Sequence, residues 1–272
     1  MGLKREPGEF AGINNGIFMN DLLDLSKVTR RFGGLTAVQS VDLRVRQGQI
    51  KAVIGPNGAG KTTLFNLISC VLPVSEGVIQ FQGNVLNRLK SHAAAALGIS
   101  RTFQTAAIFH NMSIMENVMV GRHLRSRHGL FRVAIKTPGA RREEKAIRES
   151  ALYWLHFMGV NDRYDSLPGE LPFVIHRKVE IARALATEPK LLLLDEPAAG
   201  LDIRETEELS SCIQKIRDQG ITILIIEHDM SLVMDISDEV CVLNYGAKIA
   251  EGAPRDVQRN EEVIEAYLGK EH

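Results

Sequence analysis

The run QIKAVIGPNGAGKTTL, residues 49–64, constrains this chain more than any other. It joins a short apolar stretch to a glycine loop and then to the start of an amphipathic segment. Within it Gly55, Pro56, Asn57, Gly58, Ala59, Gly60, Lys61 and Thr62 fit G-x-x-x-x-G-K-[ST]. The glycines let backbone N–H groups converge on phosphate oxygens, Lys61 reaches the β and γ phosphates, and the Thr62 hydroxyl can hold Mg²⁺. Residues 50–54 read as a buried strand and 61–71 carry helix-like apolar spacing, so the loop lies at a strand end facing a helix N-terminus. The pattern predicts a site for a nucleoside triphosphate with Mg²⁺.

Around this loop the chain divides by pattern. Residues 1–21 are mostly Gly/Asn-rich and unpatterned, which predicts a flexible tail. Residues 22–29, 38–45 and 78–81 are alternating or β-branched runs separated by Gly and Asn, and predict a small antiparallel sheet beside the nucleotide strand. Residues 91–98 read as a short Ala-rich helix, and Ser113 with Glu116 forms a capping box that opens another. Between 122 and 148 lie nine Lys/Arg against Glu143 and Glu144, a basic insertion within a helical subdomain of about 105–187. A basic face of this kind is most often simply solvated, with anionic headgroups or an acidic partner loop as the functional alternative. Thr137 and Pro138 give an N-cap and N1 pair, followed by a stripe of Ile147, Ala151, Trp154, Leu155 and Met158 ending at Gly159.

From residue 175 helices and strands alternate: a helix over 175–186, an apolar strand over 191–194, a helix over about 202–219 and a strand over 221–226. This predicts a mainly parallel sheet with helices on its faces. Two short strands (240–243, 248–250) and one final helix (254–268) close a single domain of 22–268, leaving 269–272 as a tail.

Two strand ends carry acids. Leu191 through Leu194 are four leucines followed by Asp195 and Glu196, so a buried strand delivers both carboxylates at its carboxyl end, where open α/β sheets bind ligands. Asp195 is placed to act on Mg²⁺ through its water shell and Glu196 to polarise an attacking water. Ile226, Glu227, His228 and Asp229 repeat that geometry on a neighbouring strand, where His228 can contact the γ phosphate and hold the water. Gln104, in SRTFQ, can reach Mg²⁺ or water, and Phe32, in RRFGG, can stack on a purine. Taken singly, a His after a strand or a Gln in a loop is more often structural, and an aromatic such as Phe32 more often a core or turn anchor.

Bulk composition narrows the class. Lys+Arg and Asp+Glu both number 33, so no global charge points to nucleic acid. Three scattered cysteines, Cys70, Cys212 and Cys241, make neither a disulfide framework nor a zinc cluster and read as core fillers of a reducing compartment. No window approaches 18 apolar residues, which predicts no bilayer span, and nothing near residue 1 reads as a signal peptide.

GPNGAGKTT, RTFQ, LLLLDEP with GLD after it, and EHDM, in this order and spacing, resemble the ATP-binding subunit of an ATP-binding cassette (ABC) transporter. The resemblance covers roughly residues 22–268. RRFGGLTAV, FNLIS, ISRTFQ followed by NMSIMENVMVGRH, the basic insertion and the ending EAYLG are similar to one branch, the first ATPase of branched-chain amino-acid importers; urea and amide importers share much of the pattern. The resemblance implies a P-loop NTPase core with a small antiparallel β subdomain and a helical subdomain. It assigns Phe32 to adenine stacking, residues 55–63 including Thr63 to Walker A, Gln104 to the Q-loop, Asp195 and Glu196 to Walker B and the catalytic carboxylate, Asp202 to the D-loop and His228 to the switch. It further implies ATP and Mg²⁺, a dimer with a sister ATPase, two transmembrane permease subunits, an indirect link to a solute-binding protein, and a peripheral place on the cytoplasmic face of the membrane. A soluble ABC ATPase acting on nucleic acid or ribosomes is the alternative, disfavoured by the single cassette and the absence of sustained heptads.

One stretch departs from the family. The signature L-S-G-G-Q, or L-S/A-Y-G-Q in this branch, is here Leu171, Pro172, Phe173, Val174 and Ile175. Pro172 lacks a hydroxyl and an N–H, Val174 puts a branched side chain where glycine permits close approach to phosphate, and Ile175 replaces an amide by hydrocarbon. At about 1.5 to 3 kcal/mol for each lost contact to a charged phosphate, the three changes together predict a disabled signature loop.

Overall fold

The structure is a computed structural model that describes residues 21–102, 108–123 and 138–268. Residues 1–20 of the expected 1–21 tail, the tail 269–272, most of the basic insertion, Thr137 and Gln104 lie outside the described residues, whereas Asp21 is already in the first strand.

Two sheets organise the fold. One has four strands in the order β2 (Leu35–Arg46), β1 (Asp21–Phe32), β4 (Glu76–Phe81), β5 (Asn84–Val85), all antiparallel. The other has six, in the order β10 (Ala247–Gly252), β9 (Glu239–Asn244), β3 (Ile50–Ile54), β8 (Thr222–Ile226), β7 (Leu191–Asp195), β6 (Ile99–Arg101). Only the β9–β10 hairpin is antiparallel in this second sheet. The expected combination of a parallel core and a small antiparallel sheet is therefore the one that forms.

The apolar runs of the central strands supply both faces at once, as a parallel sheet covered on two sides requires. Leu192, Leu194, Ile223, Ile225 and Ile54 enter one core, with Trp154, Leu155 and Leu185. The alternate residues Leu191, Leu193, Leu224, Ile226 and Val53 enter a second core with Phe65, Leu43 and Phe81. The first core thus joins the sheet to the helical side, and the second joins it to the antiparallel sheet and α1 (Lys61–Ile68).

On the helical side α3 (Ile114–His123) opens with the expected capping box: Ser113 N–H donates to Glu116 Oε2 and Glu116 N–H to Ser113 Oγ. It follows the short α2 (Ser91–Leu97). The stripe of α4 (Pro138–Phe157) buries Ile147, Ala151, Trp154 and Leu155 against it, with Met158 just beyond its end. After α5 (Phe173–Leu185), α6 (Ile203–Asp218) and α7 (Met230–Ile236) pack beside the sheet.

Four features differ from the sequence expectations. β6 is an additional strand of only three residues, too short to show a period, and it forms because Ile99, Ser100 and Arg101 pair with Leu191, Leu192 and Leu193. α7 was likewise not expected. The final helix is two, α8 (Pro254–Gln258) and α9 (Glu261–Leu268), since Asn260 caps the second by accepting from Val263 N–H at 3.2 Å. α5 begins at Phe173 rather than 175, so Val174 and Ile175 stand in its first turn.

Candidate functional site

Strand register sets the site. Val53, Ile226 and Asp195 form one row across β3, β8 and β7, so Gly55, Glu227, His228 and Glu196 leave the sheet at the same edge. The phosphate loop, the two acids and the histidine, far apart in sequence, converge because parallel strands end together.

The loop backbone needs its glycines. Gly55 has φ +146°, and a Cβ there would lie 2.1 Å from Leu243 O; Gly60 has φ +99°, and a Cβ would lie 2.4 Å from Ala37 O. Gly60 is also the N-cap of α1, whose first turn holds no acid, so the positive end of that helix faces the loop with no competing carboxylate of its own. The β9–β10 turn buttresses the loop through Gly246 N–H to Ala59 O at 3.0 Å and Gln39 N–H to Gly246 O at 2.8 Å.

Lys61 is buried and donates to Gly55 O at 2.6 Å and Pro56 O at 3.1 Å. Burial lowers its pKa while the charges of Glu196 and Asp195 raise it, with a net downward shift. Pro56 and Gly60 are half-buried, Asn57 and Gly58 exposed and Ala59 buried; Thr62 is exposed at the helix start and Thr63 half-buried.

Asp195 is fully buried. Its Oδ2 accepts from Arg101 Nη2 at 2.8 Å, and Arg101 is itself anchored by Nη1 to Asn66 Oδ1 at 2.6 Å. Asp195 Oδ1 has no hydrogen-bond partner among the described residues. An unpartnered buried carboxylate oxygen is costly in a dry interior, and as a hard oxygen donor it fits a ligand for a cation such as Mg²⁺.

Glu196 follows with φ +48°, its N–H donating to Ile226 O at 2.9 Å. Its side chain is half-buried. His228 is exposed, and its Nδ1 stands 3.9 Å from Glu227 Oε2. Glu227, which sequence reasoning placed at a strand end without assigning it a task, is buried and accepts N–H groups from Ala198, His228 and Asp229.

The remaining assignments fall on other surfaces. Phe32 ends β1 with its ring partly exposed and the Arg30 guanidinium 4.6 Å from its centroid. Asp202 caps α6 in a reciprocal box with Glu205. Pro172 is the N-cap of α5 with no side-chain cap bond, and Leu171 N–H donates to Pro168 O. The exposed ring of Phe173 lies over Gly200, where an added Cβ would stand 3.2 Å from Phe173 Cε1, and under the Arg177 guanidinium at 5.0 Å. Val174 and Ile175 are half-buried.

Arg101 was the partner that sequence reasoning passed over, although it sits in the quoted ISRTFQ run. Its signal, a charged residue between apolar Ile99 and the buried Thr102, acquires meaning only once β6 is seen to pair with β7.

Comparison with known proteins bears on this geometry. A family model described as "ABC transporter" matches residues 38–199, and one described as "Branched-chain amino acid ATP-binding cassette transporter" matches 247–272. The chain is 42% identical over 250 residues to the high-affinity branched-chain amino acid transport ATP-binding protein BraF of Pseudomonas aeruginosa, covering 92% of this chain and 98% of that one. It is 41% identical over 250 residues to LivG of Escherichia coli, with the same coverage of both. Among solved structures it is similar to a nucleotide-free ATP-binding cassette from an ABC transporter, with a TM-score of 0.81, 31% identity, and 92% and 100% of the two chains covered. The ADP conformation of the cassette MJ1267 gives a TM-score of 0.81 and 31% identity, with 92% and 99% covered. The chain therefore belongs to the ABC transporter family, as an ATP-binding cassette ATPase of the branched-chain amino-acid branch.

Proposed function

We propose that this chain is the ATP-binding and ATP-hydrolysing subunit of a membrane importer for branched-chain amino acids. It works as a dimer with a sister ATPase against two transmembrane permease subunits, on the cytoplasmic face of the membrane, and is linked through them to a solute-binding protein. The observation that carries the reading is the row Val53, Ile226 and Asp195, which brings the phosphate loop, Asp195, Glu196 and His228 to one edge. Among the described residues no helix is long and apolar enough to cross a membrane, which fits a subunit that works through permeases.

In this reading the backbone N–H groups of residues 55–63 and the α1 N-terminus hold the phosphates, with Lys61 leaving its contacts to Gly55 O and Pro56 O to meet them. Phe32 stacks on the adenine, backed by Arg30. Thr62, Asp195 and, from the sequence, Gln104 are the side chains that hold Mg²⁺. When bound, that ion supplies neutralisation of charge on the phosphate oxygens. Glu196 accepts a proton from the attacking water, and His228 orients that water and the γ phosphate. Holding these groups on strand ends pre-orients them, which is where phosphoryl transfer gains most.

The site is completed across the dimer by the partner's signature loop, near which Asp202 sits. This chain's own signature, Leu171, Pro172, Phe173, Val174 and Ile175, offers hydrocarbon where the partner's nucleotide requires donors, so the composite site that uses it binds without efficient turnover. The test is ATPase activity of the assembled importer with Ser, Gly and Gln restored at 172, 174 and 175. Turnover is expected to rise; unchanged turnover with correct assembly would refute the asymmetry.

A further inference from the structure

We infer that Glu227 is a positioning residue that registers the Glu196 loop and the His228 loop against each other through one buried carboxylate.

Three observations carry this. The Glu227 side chain has no solvent exposure, so its charge is held by protein donors alone. Its Oε1 accepts the N–H of Ala198 at 2.8 Å, from the loop two residues beyond Glu196. Its Oε2 accepts the N–H of His228 at 3.0 Å and, more weakly, that of Asp229 at 3.4 Å. The two oxygens therefore serve two different loops, one bearing Glu196 and the other His228.

The loop held at Ala198 is also the strained one. Glu196 has φ +48°, a left-handed conformation that a non-glycine residue keeps only where its surroundings over-determine it. Glu196 N–H is fixed from one side by Ile226 O. The bond from Glu227 to Ala198 N–H fixes the loop from the other side, so Glu227 closes the constraint on the residue that must be aimed most accurately. Asp229 completes the unit by capping α7 through Ser231 N–H at 2.9 Å, which leaves the His228 backbone pinned between a buried carboxylate and a helix start.

The chemistry of the group explains why it is Glu. A carboxylate presents acceptors in two directions and no donor. A glutamine of the same shape has one acceptor and would turn an NH₂ toward an N–H on the other side, so one of the two loops loses its anchor. An aspartate keeps the charge and both oxygens but is a methylene shorter, so it cannot span both loops.

This inference rests on the roles proposed for Glu196 and His228. The experiment uses the full-length chain, purified for ATP binding and assembled with its membrane subunits for turnover, comparing Glu227→Gln, Glu227→Asp and Glu196→Gln. For both Glu227 variants kcat is expected to fall at least tenfold while the Kd for ATP stays within twofold and thermal unfolding remains cooperative. Turnover within twofold of the parent in either variant would overturn the inference, as would an ATP affinity that falls in proportion to kcat, since Glu227 would then be holding the fold. If Glu196→Gln leaves turnover intact, the underlying site reading fails; if it abolishes turnover while Glu227 variants stay active, only the Glu227 inference fails.

Discussion

Replacing Lys51 by Met is expected to destabilise the cassette by about 3 kcal/mol. Lys51 sits in β3, four residues before Gly55, with 1% of its side chain exposed. Its ammonium donates to Arg44 O at 2.7 Å, to Glu239 Oε2 at 3.0 Å and to Glu251 Oε1, and so ties the nucleotide strand to β2, β9 and β10. Methionine fills the same apolar channel, so the loss lies in the polar contacts. Removing one partner of a buried ion pair costs about 3 to 5 kcal/mol because the other charge is left uncompensated. Glu239 and Glu251 keep 25% and 23% of their side chains exposed and can recover some water, which puts the estimate at the lower end. For a chain of this size that is a fall of about 6 to 12 °C in Tm.

A pH series sharpens the test. Burial pushes the Glu239 carboxyl up, but the hydrogen bond and charge of Lys51, together with Gln49 and Arg46, outweigh it and hold the carboxyl below its ordinary value. A depressed acid contributes stability that is present above its unfolded pKa and lost as pH falls through the folded one. The gap between parent and Lys51→Met should therefore narrow toward acid. Urea unfolding followed by circular dichroism across that range measures both quantities. A variant within about 1 kcal/mol of the parent at neutral pH, where a broken buried pair should cost several times that, would refute the reasoning.

Other consequences can be checked singly. Asp202→Ala removes the cap that accepts from Glu205 N–H at 2.9 Å and is expected to cost about 1 kcal/mol in denaturant unfolding. Gly60→Ala drives a Cβ toward Ala37 O at a φ of +99°, and should abolish binding of a fluorescent ATP analogue. Burial pushes the Glu227 carboxyl up against its backbone donors and the His228 charge. A raised acid contributes stability that is present below its unfolded pKa, about 4.3, and lost as pH rises through the folded one. Stability of the parent relative to Glu227→Gln should thus decline as pH rises from that value, as read from unfolding midpoints.

What could be read from the sequence follows from how local each signal is. The phosphate loop and the run of four leucines before Asp195 announce themselves because glycine spacing and an unbroken apolar strand are contiguous, and both stand where expected. The resemblance, rather than any local pattern, supplied the task of Asp202. Lys51 was opaque because a lysine amid Ile50 and Ala52 makes sense only with Glu239 and Glu251, which lie 188 and 200 residues away. The break at Asn260 was masked by apolar spacing that continues from Val257 to Val263, both buried. Glu227 read as the end of a strand because its three donors, at Ala198, His228 and Asp229, are backbone groups that carry no sequence signature. The thiol of Cys241, pushed up to about 12 by burial, is a core filler as expected, whereas Cys70 and Cys212 are only half-buried.

The most direct measurement of the central proposal is ATP turnover by the assembled importer carrying Glu196→Gln in this chain alone. If the site at the ends of β3, β7 and β8 is the one that hydrolyses ATP, turnover is abolished while ATP binding to this chain persists. Turnover that continues with the parent's rate would contradict it, and would place hydrolysis at the composite site built on Leu171, Pro172, Phe173, Val174 and Ile175.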